Sequence, residues 1–165
     1  MMRALRGNRI KKIIKERSLN MGYRSTVAYT IRFTPIPDPQ AEDGAEYADA
    51  FDVKQCKESF YTFLAEAKVK CTGAINDEDT KVDESNMAIN FFASDVKWYE
   101  SYEDVQMHEA LIQLSKDWVD MENRHIGGIF IRIGEEMDDI TEEEWGEADW
   151  DWLCVTREVH CDWMS

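Results

Sequence analysis

The densest set of chemically capable side chains lies in one stretch near the C-terminus. Glu135, Glu136, Asp138, Asp139, Glu142, Glu143, Glu144, Glu147, Asp149 and Asp151 supply ten carboxylates, and no base interrupts them. Carboxylates repeated along a rigid edge can imitate backbone phosphates and occupy a basic, DNA-binding protein surface. The same oxygens also suit Mg²⁺ or Ca²⁺. The plainest alternative is a solvated hairpin or loop that keeps the chain in solution. Trp145, Trp150 and Trp152 sit among these acids. Large aromatics there act either as a lid over the core or as anchors in an interface. The residues from Glu135 to Asp151 named here, with Trp145 and Trp150, form the candidate partner-binding surface.

Other constellations are thinner. His108 would serve as the base of a carboxylate-based, metal-dependent hydrolase using Glu135, Glu136, Asp138 and Asp139. Its helical stripe fits a hydrogen-bonded core histidine better, since no partner stands at i+4. Asp77, Asp79 and Asp83 resemble the start of a calcium loop. The frame fails, because glycine and the closing acid are replaced by Val82 and Ala88. His160 and Cys161 could meet Cys154 across a turn, yet neighbours on a strand point to opposite faces. The four cysteines, Cys56, Cys71, Cys154 and Cys161, show no CxxC spacing and read as reduced thiols. No cofactor is expected.

The elements that must position these groups follow from periodicity. Ser25 to Phe33 alternates as a half-buried strand and stops at Pro35, Pro37 and Pro39. From Asp49 to Lys68 a helix carries Val53, Cys56, Phe60, Phe63, Leu64 and Ala67 on one stripe, and Gly73 ends that region. Residues 76 to 86 read as a polar, mobile loop. Met87 to Ala93 and Asp95 to Tyr99 read as strands, or as one bent strand. Ser101, with Asp104 three residues on, predicts a capping box for a helix reaching Met121. Its inward residues are Val105, His108, Leu111, Ile112, Ser115, Trp118 and Val119. Gly127 to Ile133 and Trp152 to Val159 are two further strands. The fold class is therefore α+β, a mostly antiparallel sheet of four to five strands with two helices on one face.

Charge divides the 165 residues in two. Residues 1–20 hold seven bases and one acid, +6, and residues 21–165 hold 12 bases and 33 acids, −21, for a total of −15. We read the first part as a basic N-terminal extension and the second as one acidic domain. The extension would serve as a nucleic-acid arm, a membrane-surface helix or a strap on its own acidic body, unless translation begins at Met21. From Met21 the chain also matches a myristoylation pattern, with Gly22 first and Thr26 at the polar position, but so short a match arises by chance and matters only in a eukaryotic host, so it is set aside. An apolar fraction of 44% argues against a disordered acidic tail. No run approaches the roughly 20 apolar residues of a membrane helix, and no secretory signal is evident. An acidic body repels nucleic acid within about 8 Å at physiological salt and attracts basic proteins instead.

Met21 to Phe33 (MGYRSTVAYTIRF), Asp95 to Leu111 (DVKWYESYEDVQMHEAL) and Phe130 to Ile140 (FIRIGEEMDDI) carry a resemblance. They resemble a family of small tailed-phage proteins that begin MGYRS and contain VKWY and RIGEE-D-D segments. The resemblance implies a phage origin and a role inside the infected cell, in the host cytoplasm. The expected function is that of an accessory protein binding a basic surface of a host protein, without catalysis, membrane or nucleic acid. The alternatives are the hydrolase described above and a structural, self-assembling phage protein.

Overall fold

The computed structural model describes residues 23–36, 50–121, 125–136 and 138–146. In chain order these form β1 (Ser25–Phe33), α1 (Ala50–Lys70), α2 (Thr72–Ile75), β2 (Thr80–Asp83), β3 (Ala88–Val96), α3 (Glu103–Asp120), β4 (Ile126–Gly134) and β5 (Ile140–Gly146). The sheet order is β2-β3-β1-β4-β5, and every neighbouring pair is antiparallel. This is the α+β architecture expected from the alternation of periods. β1 is central, flanked by β3 and β4, so α3 joins two strands that run parallel with β1 between them. The order β2-β3-β1-β4, with helices after β1 and β3, is the split βαβ arrangement, and β5 extends it by a hairpin.

Register explains which side chains face the helices. Val27, Tyr29, Ile31 and Phe33 of β1 alternate onto one face and are all buried. Opposite them stand Ala93, Phe91 and Ile89 of β3, and Arg132, Phe130, Gly128 and Ile126 of β4. The helices close this face through aromatic contacts. Phe33 meets Phe60, Phe63 and Trp118 at ring-centroid distances of 5.8, 5.6 and 6.2 Å. The two helices are also joined by Trp118 Nε1–H, which donates to Glu66 Oε2 at 2.9 Å. β4 has buried residues on its other face too, Ile129 and Ile131, which fits its nearly continuous apolar sequence.

Several expectations change. Val53 is exposed; its neighbour Asp52 points inward instead, because its carboxylate accepts from the Ile36 N–H at 2.8 Å and pairs with His125 at 2.9 Å. Ser101 does not cap α3. Tyr102 holds the N-cap position without a side-chain bond, and Asp104 Oδ1 accepts the adjacent Val105 N–H at 3.0 Å. Residues 76 to 86 are an ordered hairpin arm rather than a loop, since Thr80–Asp83 pairs with Ala88–Phe91 as β2. Gly73 lies inside the single turn of α2 and does not end the helical region. β3 is one strand that stops at Val96. A register shift opposite Ser25 and Val27, with Asp95 at φ 57°, ends its regular pairing and leaves Lys97 to Tyr99 outside the sheet. The strand expected at Trp152 to Val159 lies outside the described residues, as do residues 1–22.

Candidate functional site

The acidic stretch splits into a turn and a strand. Glu135, Glu136, Asp138 and Asp139 belong to the turn between β4 and β5. Glu142, Glu143, Glu144 and Trp145 lie on β5, the last strand of the sheet among the described residues. Glu147, Asp149, Trp150 and Asp151 lie outside the described residues.

The turn is held by Arg132, Tyr23 and Gly134, none of them among the candidate partner-binding residues. Arg132 projects onto the helix-facing side of β4 and donates from Nη2 to Asp139 Oδ1 at 2.7 Å, with Nη1 at 3.3 Å from Oδ2. The Tyr23 hydroxyl donates to the same Asp139 carboxylate. Burial, and then this bond to Asp139, push the Tyr23 hydroxyl's pKa above its ordinary value. The backbone N–H of Gly134 donates to Asp139 O at 2.7 Å, and a Cβ at Gly134 would collide with Asp139 and with the Tyr23 hydroxyl. Glycine here lets the turn fold back on the strand. On the outside, the Arg24 backbone N–H donates to Glu135 Oε1 at 2.9 Å, and Arg24 Nη1 donates to the Asp95 carbonyl at the β3 irregularity at 2.8 Å.

A cleft of about 400 Å³ opens beside this turn, lined by Tyr23, Trp98, Tyr99, Arg132, Glu136, Asp138 and Asp139. Trp98 is half-buried and backed by Phe91, His108 and Phe130 at centroid distances of 5.8, 5.7 and 6.2 Å. The Tyr99 hydroxyl lies 3.3 Å from the Tyr23 carbonyl, to which it donates. The cleft therefore draws on the segment before β1, the β3–α3 connection, and β4 with the β4–β5 turn. Those are the three stretches that carried the resemblance.

On β5 the side chains alternate. Glu143 stands opposite Phe130 on the helix side and accepts from Lys116 Nζ at 2.6 Å. Trp145 stands opposite Gly128, donates from Nε1 to Ser115 Oγ at 2.9 Å, and has Lys116 Nζ at 5.2 Å from its ring centroid. Its partly buried ring packs against the core, as the lid reading expects. Glu142 and Glu144 stand opposite Ile131 and Ile129 on the other face and are exposed. Asp139 and Glu143 are thus ion-paired and Glu135 accepts a backbone N–H, whereas Glu136, Asp138, Glu142 and Glu144 form no ion pair among the described residues.

His108 is not part of this cleft. It is 3% exposed; its Nδ1 lies 2.8 Å from the Tyr29 hydroxyl and its Nε2 lies 3.3 Å from Asp77 Oδ2. A neutral ring with its proton on Nε2 satisfies both contacts. Burial holds its pKa below the ordinary value, and the neighbouring Asp77 only partly offsets this. Both nitrogens being engaged in the core, it is not placed to act with Glu135, Glu136, Asp138 and Asp139. Among the described residues no group of three His, Cys, Asp or Glu side chains is placed to hold a metal ion. Cys154, His160 and Cys161 lie outside the described residues.

Arg132 could have been found from sequence. It shares strand parity with Phe130 and Gly128, and a charge at a helix-facing position calls for a nearby partner of opposite sign. No family model, curated protein or solved structure matches this chain.

Proposed function

We propose that this chain is an accessory binding protein of a tailed phage that occupies a basic, DNA-binding surface of a host protein in the host cytoplasm. The observation that carries this reading is the set of exposed carboxylates left uncompensated on the β4–β5 turn and β5. Arg132 and Lys116 are spent on Asp139 and Glu143, whereas Arg24 turns its guanidinium to Asp95 and offers Glu135 only its backbone N–H. Glu136, Asp138, Glu142 and Glu144 remain directed to solvent.

On β5, Glu142 and Glu144 are two residues apart on one face, which spaces their Cα atoms by roughly 7 Å along an extended backbone. Charge repeated at a fixed interval along a hydrogen-bonded edge is a rigid feature, as phosphates are along a nucleic acid strand. Steering by a surface of this sign speeds association with a basic partner and makes it sensitive to salt. The resemblance of the MGYRS, VKWY and RIGEE-D-D stretches supports the phage origin.

Capture from bacterial lysate, with wild type and E142Q/E144Q as baits, tests the reading. A basic protein retained by wild type at low salt, released at high salt and weakly retained by the variant is the expected result. Equal retention by both baits would contradict it.

A further inference from the structure

We propose that the cleft between Trp98 and the β4–β5 turn is a socket for one arginine side chain of the basic partner. The inference rests on the reading above and gives that surface one defined contact.

Trp98 lines the cleft, and its ring packs against Phe91, His108 and Phe130. Indole is the aromatic face that attracts cations most strongly, and a ring already packed against neighbours loses little freedom when a cation settles on it. The wall is Tyr23 and Arg132, both donating to Asp139. Those donors occupy Asp139, and among the described residues Arg132 is the one cation lining the cleft, against three carboxylates. The rim acids Glu136 and Asp138 are exposed and form no ion pair among the described residues. The cleft thus combines an indole ring with two unspent carboxylates, and its charge is balanced by an incoming cation.

The chemistry favours a guanidinium. A planar, weakly hydrated cation can stack on the indole while its donors reach carboxylates at the rim, whereas an ammonium is a compact, strongly hydrated charge. A metal ion would have to compete with Tyr23 and Arg132 for Asp139, and phosphates would meet two like charges at the entrance.

The test is a titration of the full chain with acetyl-arginine methylamide, read on the indole N–H resonance of Trp98 in ¹H–¹⁵N spectra. That resonance is assigned with Trp98→Phe. The lysine analogue and the neutral citrulline analogue are run alongside. A saturable shift is expected with the arginine probe, a weaker one with lysine and none with citrulline. E136Q/D138N should lower the arginine probe's affinity about fivefold, at roughly half a kcal/mol for each exposed pair. E58Q/E84Q, which removes two charges outside the cleft lining, should leave that affinity unchanged.

Absence of a saturable arginine shift, or an equal shift with citrulline, overturns the socket. So does an affinity that E136Q/D138N leaves untouched. The wider reading is separated by repeating the lysate capture with E136Q/D138N as bait. Capture reduced by E142Q/E144Q but unaffected by E136Q/D138N overturns the socket and leaves the acidic-surface reading standing. Arginine binding at Trp98 in a chain that retains no basic protein supports the socket and removes the wider reading.

Discussion

Trp145 packs against Gly128, its cross-strand neighbour, and the contact leaves no room for a side chain: a Cβ on Gly128 would collide with Cζ2 and Cε2 of the indole. The same indole donates to Ser115 Oγ at 2.9 Å, so one ring ties the outermost described strand to α3. Gly128→Ala should therefore destabilise the fold by about 1–3 kcal/mol, the usual range for overpacking. Trp145→Leu should lower stability through lost packing and a lost partner for Ser115. The double variant should cost less than the sum of the two, because the clash disappears with the ring. Urea midpoints of the four proteins give the cycle, and strict additivity would show that the two residues do not share a site.

The buried His108 gives stability a pH dependence of known sign. Its folded pKa is held down by burial, so the native state takes up this proton less readily than the unfolded chain. The contribution is complete above the unfolded value of about 6.5 and is lost as pH falls through the folded value. His108→Gln should flatten the fall in denaturant midpoint between about pH 7 and pH 5 relative to wild type. Parallel curves for the two proteins would contradict the assignment.

Cys56 is buried, and burial, reinforced by nearby Asp52, pushes its thiol up to about 12; burial also raises Cys71. Neither should react appreciably with iodoacetamide at neutral pH while the protein is folded, because the thiolate is the nucleophile. Peptide mass spectrometry of labelled samples should show modification of both only as denaturant approaches the unfolding midpoint. Rapid labelling of Cys56 in the native protein would be inconsistent with this environment.

The acids on β5 also bear on the outermost strand among the described residues. Charged side chains on an edge strand discourage pairing with a second molecule. Glu142→Val with Glu144→Val should make the strand flat and apolar beside Ile129 and Ile131, and light scattering should then show concentration-dependent association. A variant as monodisperse as wild type would show that these carboxylates have no such effect.

The parts of the fold legible in the sequence are those where the apolar period is clean, even in β1, where Ala28 and Thr30 on the second face are buried too. β1 and the inward stripe of α3 are examples, and all but Val119 of that stripe are buried. The edges were not legible. β2 has four residues and shows the core only Val82, so its composition is that of a loop. β5 has three consecutive glutamates, and only register reveals that Glu143 turns inward to Lys116 while Glu142 and Glu144 turn outward. The acidic surface could be read from composition, but its division into compensated and uncompensated carboxylates could not. That division depends on Arg132 of β4 and Lys116 of α3, which meet Asp139 and Glu143 only through the fold. Trp98 belongs to the cleft because β3 stops at Val96, where its regular pairing ends, and alternation in the sequence does not predict that stop.

The central claim is that the uncompensated carboxylates engage a surface that otherwise holds DNA. The most direct measurement is capture from host lysate by wild type and by E136Q/D138N/E142Q/E144Q, with duplex DNA added as competitor in rising amounts. The account predicts a basic protein retained by wild type, displaced progressively by DNA and by salt, and poorly retained by the fourfold variant. Retention that DNA leaves unchanged, or that the fourfold variant matches, would contradict it.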